Sequence, residues 1–288
     1  MVESSATSSA SKLRPSVLAP HPVIAGAYAS PQHKREFLSS IFDDTAQDYD
    51  RIEHWLSLGS GRWYRRQALI RAGLTQGMRV ADVAIGTGLV AGEALPIIGP
   101  AGQLIGIDPS VEMMRRASER LGVKTLSGVA EALPLPDASC DFLSMGYALR
   151  HVEDLAAAFG EFHRVLTPAG QSGQPGQSEQ SDQFGQFAQV RQPGQFGAGR
   201  LCILEITRPT SRLGRAMLRL YLGTCSRLIG LFGKLAPRTP ELWAYYWQTI
   251  DKCVPPEQVL AALIAAGFAD VKRTVVFGIF SEYTAVRR

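Results

Sequence analysis

The chain has 288 residues, 45% hydrophobic and 19% charged, a globular rather than a disordered composition. Its 30 basic and 26 acidic side chains leave a net charge of +4, too mild to point to nucleic acid. No uninterrupted apolar run reaches about 18 residues, so no membrane-spanning helix is expected. The N-terminus, MVESSATSSASKLRP, lacks the apolar core of a secretory signal. Its Ser-rich, acid-poor character keeps an organellar transit segment as a minor alternative. Cys140, Cys202, Cys225 and Cys253 contain no CxxC pair. That argues against a metal site or a disulfide framework and fits a reducing, cytoplasmic compartment.

Residues 1–31, rich in Ser, Ala and Pro, read as a disordered tail ahead of one domain over 32–288. Residues 33–72 read as two helices, the first carrying Ile41, Phe42, Ala46, Tyr49 and Ile52 at helical spacing. Strands then alternate with helices: Met78–Val83, helix Leu89–Ile98, Leu104–Ile107, helix Ser110–Leu121 with Ser110 as N-cap, Val123–Leu126, Asp141–Met145, helix Glu153–Leu166, Leu201–Ile206. Such alternation means βαβ units and a parallel sheet covered on both faces. Residues 211–233, 240–251 and Pro255–Ala266 read as helices. Val271–Phe277 and Phe280–Val286, joined at Gly278, read as a terminal antiparallel hairpin. Within 171–199, Gln recurs every third residue from 171 to 195, nine times. So polar an array cannot bury a core and reads as a disordered surface insert, with a binding arm as the lesser reading.

The segment Val80-Ala-Asp-Val-Ala-Ile-Gly-Thr-Gly-Leu-Val-Ala91 is a strand, a glycine-rich turn and a helix start. Gly86 and Gly88 allow a sharp turn and close approach of a ligand. Asp108 ends the next strand, where a carboxylate can accept hydrogen bonds from a ribose diol. Gly86-x-Gly88-x-x-Ala91 also fits a relaxed dinucleotide fingerprint, so a nicotinamide oxidoreductase is the competing class. Against it, Asp82 would repel a pyrophosphate but suits an ammonium, the first fingerprint glycine is displaced, and a dinucleotide domain does not call for the terminal hairpin. S-adenosylmethionine, with an ammonium, a ribose diol and no phosphate, matches Asp82 and Asp108 better.

Six segments occur in order: Phe42-Asp-Asp-Thr-Ala-Gln-Asp-Tyr-Asp50, Val80–Gly88, Ala130-Glu-Ala-Leu-Pro134, Tyr147-Ala-Leu-Arg-His-Val152, Arg164-Val-Leu-Thr-Pro-Ala-Gly170 and Leu204-Glu-Ile-Thr-Arg-Pro209. Together they resemble the class I S-adenosylmethionine-dependent methyltransferases, and among these the ubiquinone/menaquinone-biosynthesis C-methyltransferase family. The resemblance runs from about residue 37 to the C-terminus, broken by the Gln array. It implies a Rossmann-like α/β fold, with a seven-stranded, mostly parallel sheet whose last strand is antiparallel, under an N-terminal helical lid. It implies that Gly86, Thr87 and Gly88 line the methionine and ribose of the cofactor, with Asp82 near the ammonium and Asp108 on the ribose. Val129 and Ala130 would flank the adenine, Gly146 would lie under the sulfonium and Tyr49 would close over the top. Ala84, Pro109 and Glu131 complete the implied cofactor set. Three departures stand out. Val129 replaces an acid or amide that would bond the adenine amine, and Ile85 replaces a glycine. Tyr147-Ala-Leu-Arg-His151 replaces Phe-Gly-Leu-Arg-Asn on the acceptor side.

For methylation of a hydroxylated ring carbon, His151 is the expected general base, Arg150 the phenolate stabiliser and Tyr147 a stacking platform. Each also has a structural reading: Tyr147 as a core cap, Arg150 paired with Glu153 or Asp154, His151 as a helix flank. Tyr245, Tyr246 and Trp247 read first as core and second as acceptor pocket. Residues 211–234 alternate Leu, Met and Tyr with Arg; a lid over the pocket is the first reading and peripheral contact with a membrane the second. The expected acceptor is a hydrophobic small molecule, foremost a quinone precursor, with a phospholipid amine or another small aromatic as alternatives. A binder that has lost cofactor affinity is the non-enzymatic alternative. The oligomeric state is not legible.

Overall fold

The computed structural model describes residues 17–24, 27, 28, 30–57, 60–170, 197–232 and 238–288. Most of the expected N-terminal tail and of the expected Gln-rich insert lies outside these residues. In chain order come α1 (Pro31–Ser57), α2 (Ser60–Arg71), β1 (Arg79–Val83), α3 (Ala91–Ile98), β2 (Gln103–Asp108), α4 (Val111–Leu121), β3 (Lys124–Ser127), β4 (Phe142–Gly146), a 3-10 turn (Leu149–His151) and α5 (Leu155–Val165). Then follow β5 (Arg200–Ile206), α6 (Arg212–Phe232), α7 (Thr239–Lys252), α8 (Pro256–Ala265), β6 (Phe268–Val276) and β7 (Phe280–Arg287).

The strands form one sheet in the order β3-β2-β1-β4-β5-β7-β6. β1 to β5 are mutually parallel, while β7 runs antiparallel to both β5 and β6. The terminal hairpin is therefore present, and the sheet is the Rossmann-like one expected from the sequence. Side chains of β1 alternate between the faces. Val80 packs with Tyr64, Leu69, Ala94 and Ile98 on one side, whereas Ala81 and Val83 pack with Phe159, Phe162 and Leu263 on the other. A third cluster, with Ile24, Ile41, Leu218, Leu242 and Tyr245, joins α1, α6 and α7.

Local chemistry sets the helix starts. Ser110 N-caps α4, its hydroxyl accepting from the Met113 amide at 3.1 Å, and Asp154 caps α5 by accepting from Ala156 at 2.9 Å. Strand order reverses between β1 and β4, so the crevice at their carboxyl ends is where an open α/β sheet binds ligands. α1 crosses this crevice as the expected lid. Among the described residues no helix is long and apolar enough to cross a membrane.

Candidate active site

A cleft of about 1240 Å³, counted out to its open mouth, lies at that crevice. Its floor is the turn after β1. Ala84, Gly86 and Gly88 have φ of +54°, +56° and +85°. The left-handed value at Ala84 is strained for a residue with a Cβ, a cost that sites tolerate more than scaffolds do. At Gly88 it is the left-handed φ that calls for glycine, and a Cβ there would also push the Leu121 side chain aside, meeting its Cδ1 at 2.6 Å. Gly86 differs: a Cβ there would meet nothing within 4 Å, so the space above it is open to a ligand. Ile85, which departs from the family pattern, turns inward and packs over Gly106.

Asp108 lies at the end of β2 and lines the cleft. Its Oδ2 accepts from the Gly86 amide and its Oδ1 from the Ser110 amide, both at 2.9 Å. The carboxylate thus fixes the glycine turn, a structural duty the sequence did not reveal, and each oxygen keeps a further lone pair for a diol. Burial pushes its pKa up to about 6; the two amides pull down and nearby Asp43 pushes further up.

Asp82 is also buried and lines the cleft. Its Oδ1 accepts from Ser144 Oγ at 2.6 Å, and its Oδ2, buried as well, has no hydrogen-bond partner. Burial raises this carboxyl to about 7, against the opposing pull of Ser144 and the Ala91 amide and with a smaller push from Asp108. An unpartnered buried carboxylate oxygen is costly unless a ligand satisfies it, and an ammonium would do so.

Thr87, Pro109, Val129, Ala130, Glu131 and Gly146 line the same cleft. Two of them have structural duties. The Glu131 carboxylate accepts from the amides of Glu153 at 2.5 Å and Asp154 at 3.2 Å, holding the entry to α5. Gly146 is bare because a Cβ would meet Val90 Cγ2 at 2.5 Å. The backbone of Tyr49 lies in α1, but its side chain is outside the described residues.

The far end of the cleft is aromatic. Tyr147 lines it with φ +59°, and its amide donates to Leu204 O at 2.7 Å. His151 lines it too, stacked on Tyr245 at 5.6 Å and 20°, with the Phe42 edge at 5.3 Å. His151 Nδ1 lies 3.2 Å from the Tyr245 hydroxyl. Burial, then the charges of Arg150, Lys34 and His21, hold the imidazole well below its ordinary pKa, so it is neutral. Of the aromatic trio, Tyr245 is core, Tyr246 lines the cleft, and Arg219 reaches over Trp247.

Arg150 corrects the sequence reading. It does not line the cleft, and it forms an ion pair with Glu205 on β5. Its guanidinium is buried against the fully buried Glu205 on β5, donates to Tyr147 O at 2.9 Å and lies 4.7 Å from the Tyr246 ring centre. This arginine braces the loop after β4 from behind.

Lys34 escaped the sequence reading. It is buried in the cleft wall, donates to Val152 O at 2.8 Å, and burial lowers its pKa to about 8 against the pull of Glu153 and Glu131. The signal was available: Lys34 shares one helix stripe with Leu38, Ile41 and Phe42. Asp43, one residue past Phe42, accepts from Ser110 Oγ and ties the lid to α4.

This sheet, with a glycine turn flanked by two strand-end carboxylates, has the arrangement of the S-adenosylmethionine-dependent methyltransferases. Solved structures agree in fold. A SAM-dependent methyltransferase of Thermotoga maritima superposes with a TM-score of 0.55 at 20% identity, covering 87% of this chain and 100% of that one. The cyclase SpnF gives 0.55 at 16% identity, covering 93% and 98%. The sequence profile of the ubiE/COQ5 methyltransferase family matches residues 30–174, and the chain belongs to that family. Among curated relatives, the demethylmenaquinone methyltransferase of Deinococcus radiodurans is 29% identical over 262 residues, 89% of this chain and 95% of that protein. The ubiquinone/menaquinone biosynthesis C-methyltransferase UbiE of Coxiella burnetii is 26% identical over 244 residues, 82% and 85% of the two chains. The chain is thus an enzyme that uses S-adenosylmethionine as methyl donor.

Proposed function

We propose that this enzyme methylates a ring carbon of a hydroxylated quinone precursor bearing a hydrophobic tail, on the cytoplasmic side of a membrane. The observation that carries the reading is a neutral imidazole, His151, set among Phe42, Tyr147 and Tyr246 at the end of the cleft beyond Gly146. The names of the relatives from Deinococcus radiodurans and Coxiella burnetii point the same way.

S-adenosylmethionine supplies an electrophilic methyl on a sulfonium. Asp82 Oδ2 holds its ammonium, Asp108 its ribose, and Gly86 leaves room for the approach. Thr87, Ala84 and Pro109 line the same end, while Gly88 shapes the turn against α4 without lining the cleft, and Val129, Ala130 and Glu131 border the adenine, with Val129 offering packing rather than a hydrogen bond. Tyr147 and Tyr246 give a planar acceptor flat surfaces to lie against. With Nδ1 engaged by Tyr245, Nε2 of His151 is the nitrogen left for the substrate hydroxyl. Its neutrality lets it accept that proton, which leaves an electron-rich ring to attack. Arg150 acts through the loop it braces, without touching the acceptor.

The test is incubation with labelled S-adenosylmethionine and separate quinol and phosphatidylethanolamine acceptors, with the products identified by mass spectrometry. Label on a quinol ring carbon is expected; label on the lipid amine alone would overturn the reading. His151→Ala should lower kcat by about 10²–10⁴ with little change in cofactor affinity. Tyr245→Phe keeps the stacked ring, so it should lower kcat less and move the pH–rate profile. A profile identical to the parent's would remove Tyr245 from the mechanism.

A further inference from the structure

Among the described residues, the Lys and Arg side chains that line the cleft are Lys34 and Arg35. Arg35 is engaged: its guanidinium donates to both oxygens of Glu153, at 3.1 and 2.8 Å, and the side chain is 60% exposed. Lys34 is only 6% exposed, and among the described residues its one hydrogen bond goes to Val152 O at 2.8 Å. An ammonium has three N–H groups, so two remain to be used in a poorly solvated place. The carboxylates whose charge reaches it, Glu153 and Glu131, are committed elsewhere, to Arg35 and to the backbone amides of residues 153 and 154. Lys34 stands on α1 one and two turns before Leu38 and Phe42, which line the cleft with it. Phe42 meets the His151 ring at 5.3 Å, and the carbonyl that Lys34 holds belongs to the residue after His151. The ammonium is therefore at the aromatic end of the cleft, beside the imidazole. Arg150, in the same loop, is turned away to Glu205.

We propose that Lys34 is an oxyanion subsite, its ammonium binding the ionised hydroxyl oxygen of a phenolic acceptor whose proton has passed to His151 Nε2. The inference rests on the acceptor reading in one respect: the acceptor carries an acidic hydroxyl on a planar ring. The electron pair left on that oxygen flows to the ring carbon as the bond from carbon to methyl forms and the bond from methyl to sulfur breaks. The hydrogen on that carbon then leaves as a proton, and the oxygen is an anion again until His151 returns the first one. A fixed cation in a water-poor site stabilises such an anion at both stages. An opposite charge within about 4–6 Å lowers an acid's pKa by about 1–3 units. A latch between α1 and the loop after β4 accounts for less. One N–H suffices for Val152 O, Arg35 and Glu153 already join the same two elements, and burying an ammonium for one carbonyl is costly. The groups that face Lys34 from other elements leave its charge available. Glu131 and Glu153 favour the ammonium, burial holds His21 near 4 and His151 well below its ordinary value, so both are neutral, and burial pushes the Cys253 thiol up to about 12.

The experiment is a pH titration of para-nitrophenol, whose anion is yellow, with the full chain in excess and saturated with S-adenosylhomocysteine. The parent should bring the pKa of the bound phenol at least about one unit below that of the free phenol. Lys34→Gln can still donate to Val152 O but carries no charge, and it should raise that value again by at least about one unit. Lys34→Met is a second neutral variant, and Lys34→Arg, which keeps the charge, should stay within about half a unit of the parent. Calorimetry with S-adenosylhomocysteine checks that each variant keeps a folded cleft. In the labelling assay Lys34→Gln should lose about tenfold or more in kcat at pH 7, and the loss should narrow as pH rises and the hydroxyl ionises unaided. A merely structural lysine would lower kcat alike at every pH and leave the phenol's ionisation untouched. The inference is overturned if the parent does not shift the phenol's pKa, if the neutral variants titrate it as the parent does, or if Lys34→Arg behaves like them. The titration needs no methyl transfer, so its failure is distinct from a wrong acceptor, which the labelling experiment reads.

Discussion

At the scale of single residues, the cleft is built around an electrostatic debt at Asp82. Its carboxyl is held at about 7 by burial, and one oxygen has no partner. A carboxyl raised from its ordinary value favours the folded chain while protonated. That contribution is full below about 4 and is lost as pH rises through about 7. Without a ligand, Asp82→Asn should therefore raise stability at pH 8 by about 1–3 kcal/mol and leave it nearly unchanged at about pH 3.5. Scanning calorimetry at the two pH values checks this, and equal shifts at both would contradict it. With a ligand the order reverses. An ammonium draws the carboxyl toward its ionised form, so affinity for S-adenosylhomocysteine should climb from pH 5 to 7 by up to about tenfold per pH unit and level off above. In Asp82→Asn that climb should shrink to what Asp108, at about 6, contributes.

At the scale of elements, the aromatic end of the cleft depends on a buried pair that crosses from one strand end to the next. Arg150 follows β4 and Glu205 belongs to β5; both are almost wholly buried. Removing one member of such a pair leaves an uncompensated charge in a poorly solvated place. Glu205→Gln should thus cost about 3–5 kcal/mol, and the double variant Arg150→Met/Glu205→Leu should cost less than that single one. Urea unfolding of Arg150→Met, Glu205→Leu and the double variant gives the coupling directly, and simple additivity would refute it. The same pair marks the limit of sequence reading. β1, β2, the glycine turn and the Ser110 cap were legible because each is written in adjacent residues: a short apolar run, a bare backbone, a hydroxyl before a helix. Asp82 and Asp108 were legible as strand-end acids, but the Gly86 amide that Asp108 holds was not, since it faces the carboxylate only once β1 and β2 pair. Arg150 was assigned neighbours three and four residues away, yet its partner is 55 residues distant. The Tyr245 hydroxyl that meets His151 is 94 residues away. Partners of this kind are chosen by sheet order and helix packing, which local spacing does not encode.

At the scale of the whole molecule, the described residues that flank the Gln-rich segment and the cleft lie at opposite ends of the sheet. The Thr167 amide donates to Cys140 O, the Gly199 amide to Thr167 O at 2.7 Å, and the Arg200 amide to Asp141 O. Residues 167 and 199 thus meet beside the amino ends of β4 and β5, whereas Asp82, Asp108 and Gly146 stand at or near the carboxyl ends of their strands. Strands of five to seven residues at about 3.3 Å per residue put roughly 20 Å between the two regions. Because the chain leaves and returns at one point, joining Gly170 directly to Gly197 needs no rearrangement of the sheet. Shortening the connection should also lower its closure entropy, at about 0.6 kcal/mol per halving of length, or about 1–2 kcal/mol in all. Deletion of 171–196 should therefore raise the thermal midpoint by a few degrees, roughly 2–4 °C per kcal/mol, and leave S-adenosylhomocysteine affinity and kcat within about twofold of the parent, since neither depends on groups near the junction. Calorimetry and the labelling assay read both quantities. A fall of tenfold or more in kcat with affinity intact would instead mean that the Gln-rich segment reaches round the molecule to the acceptor.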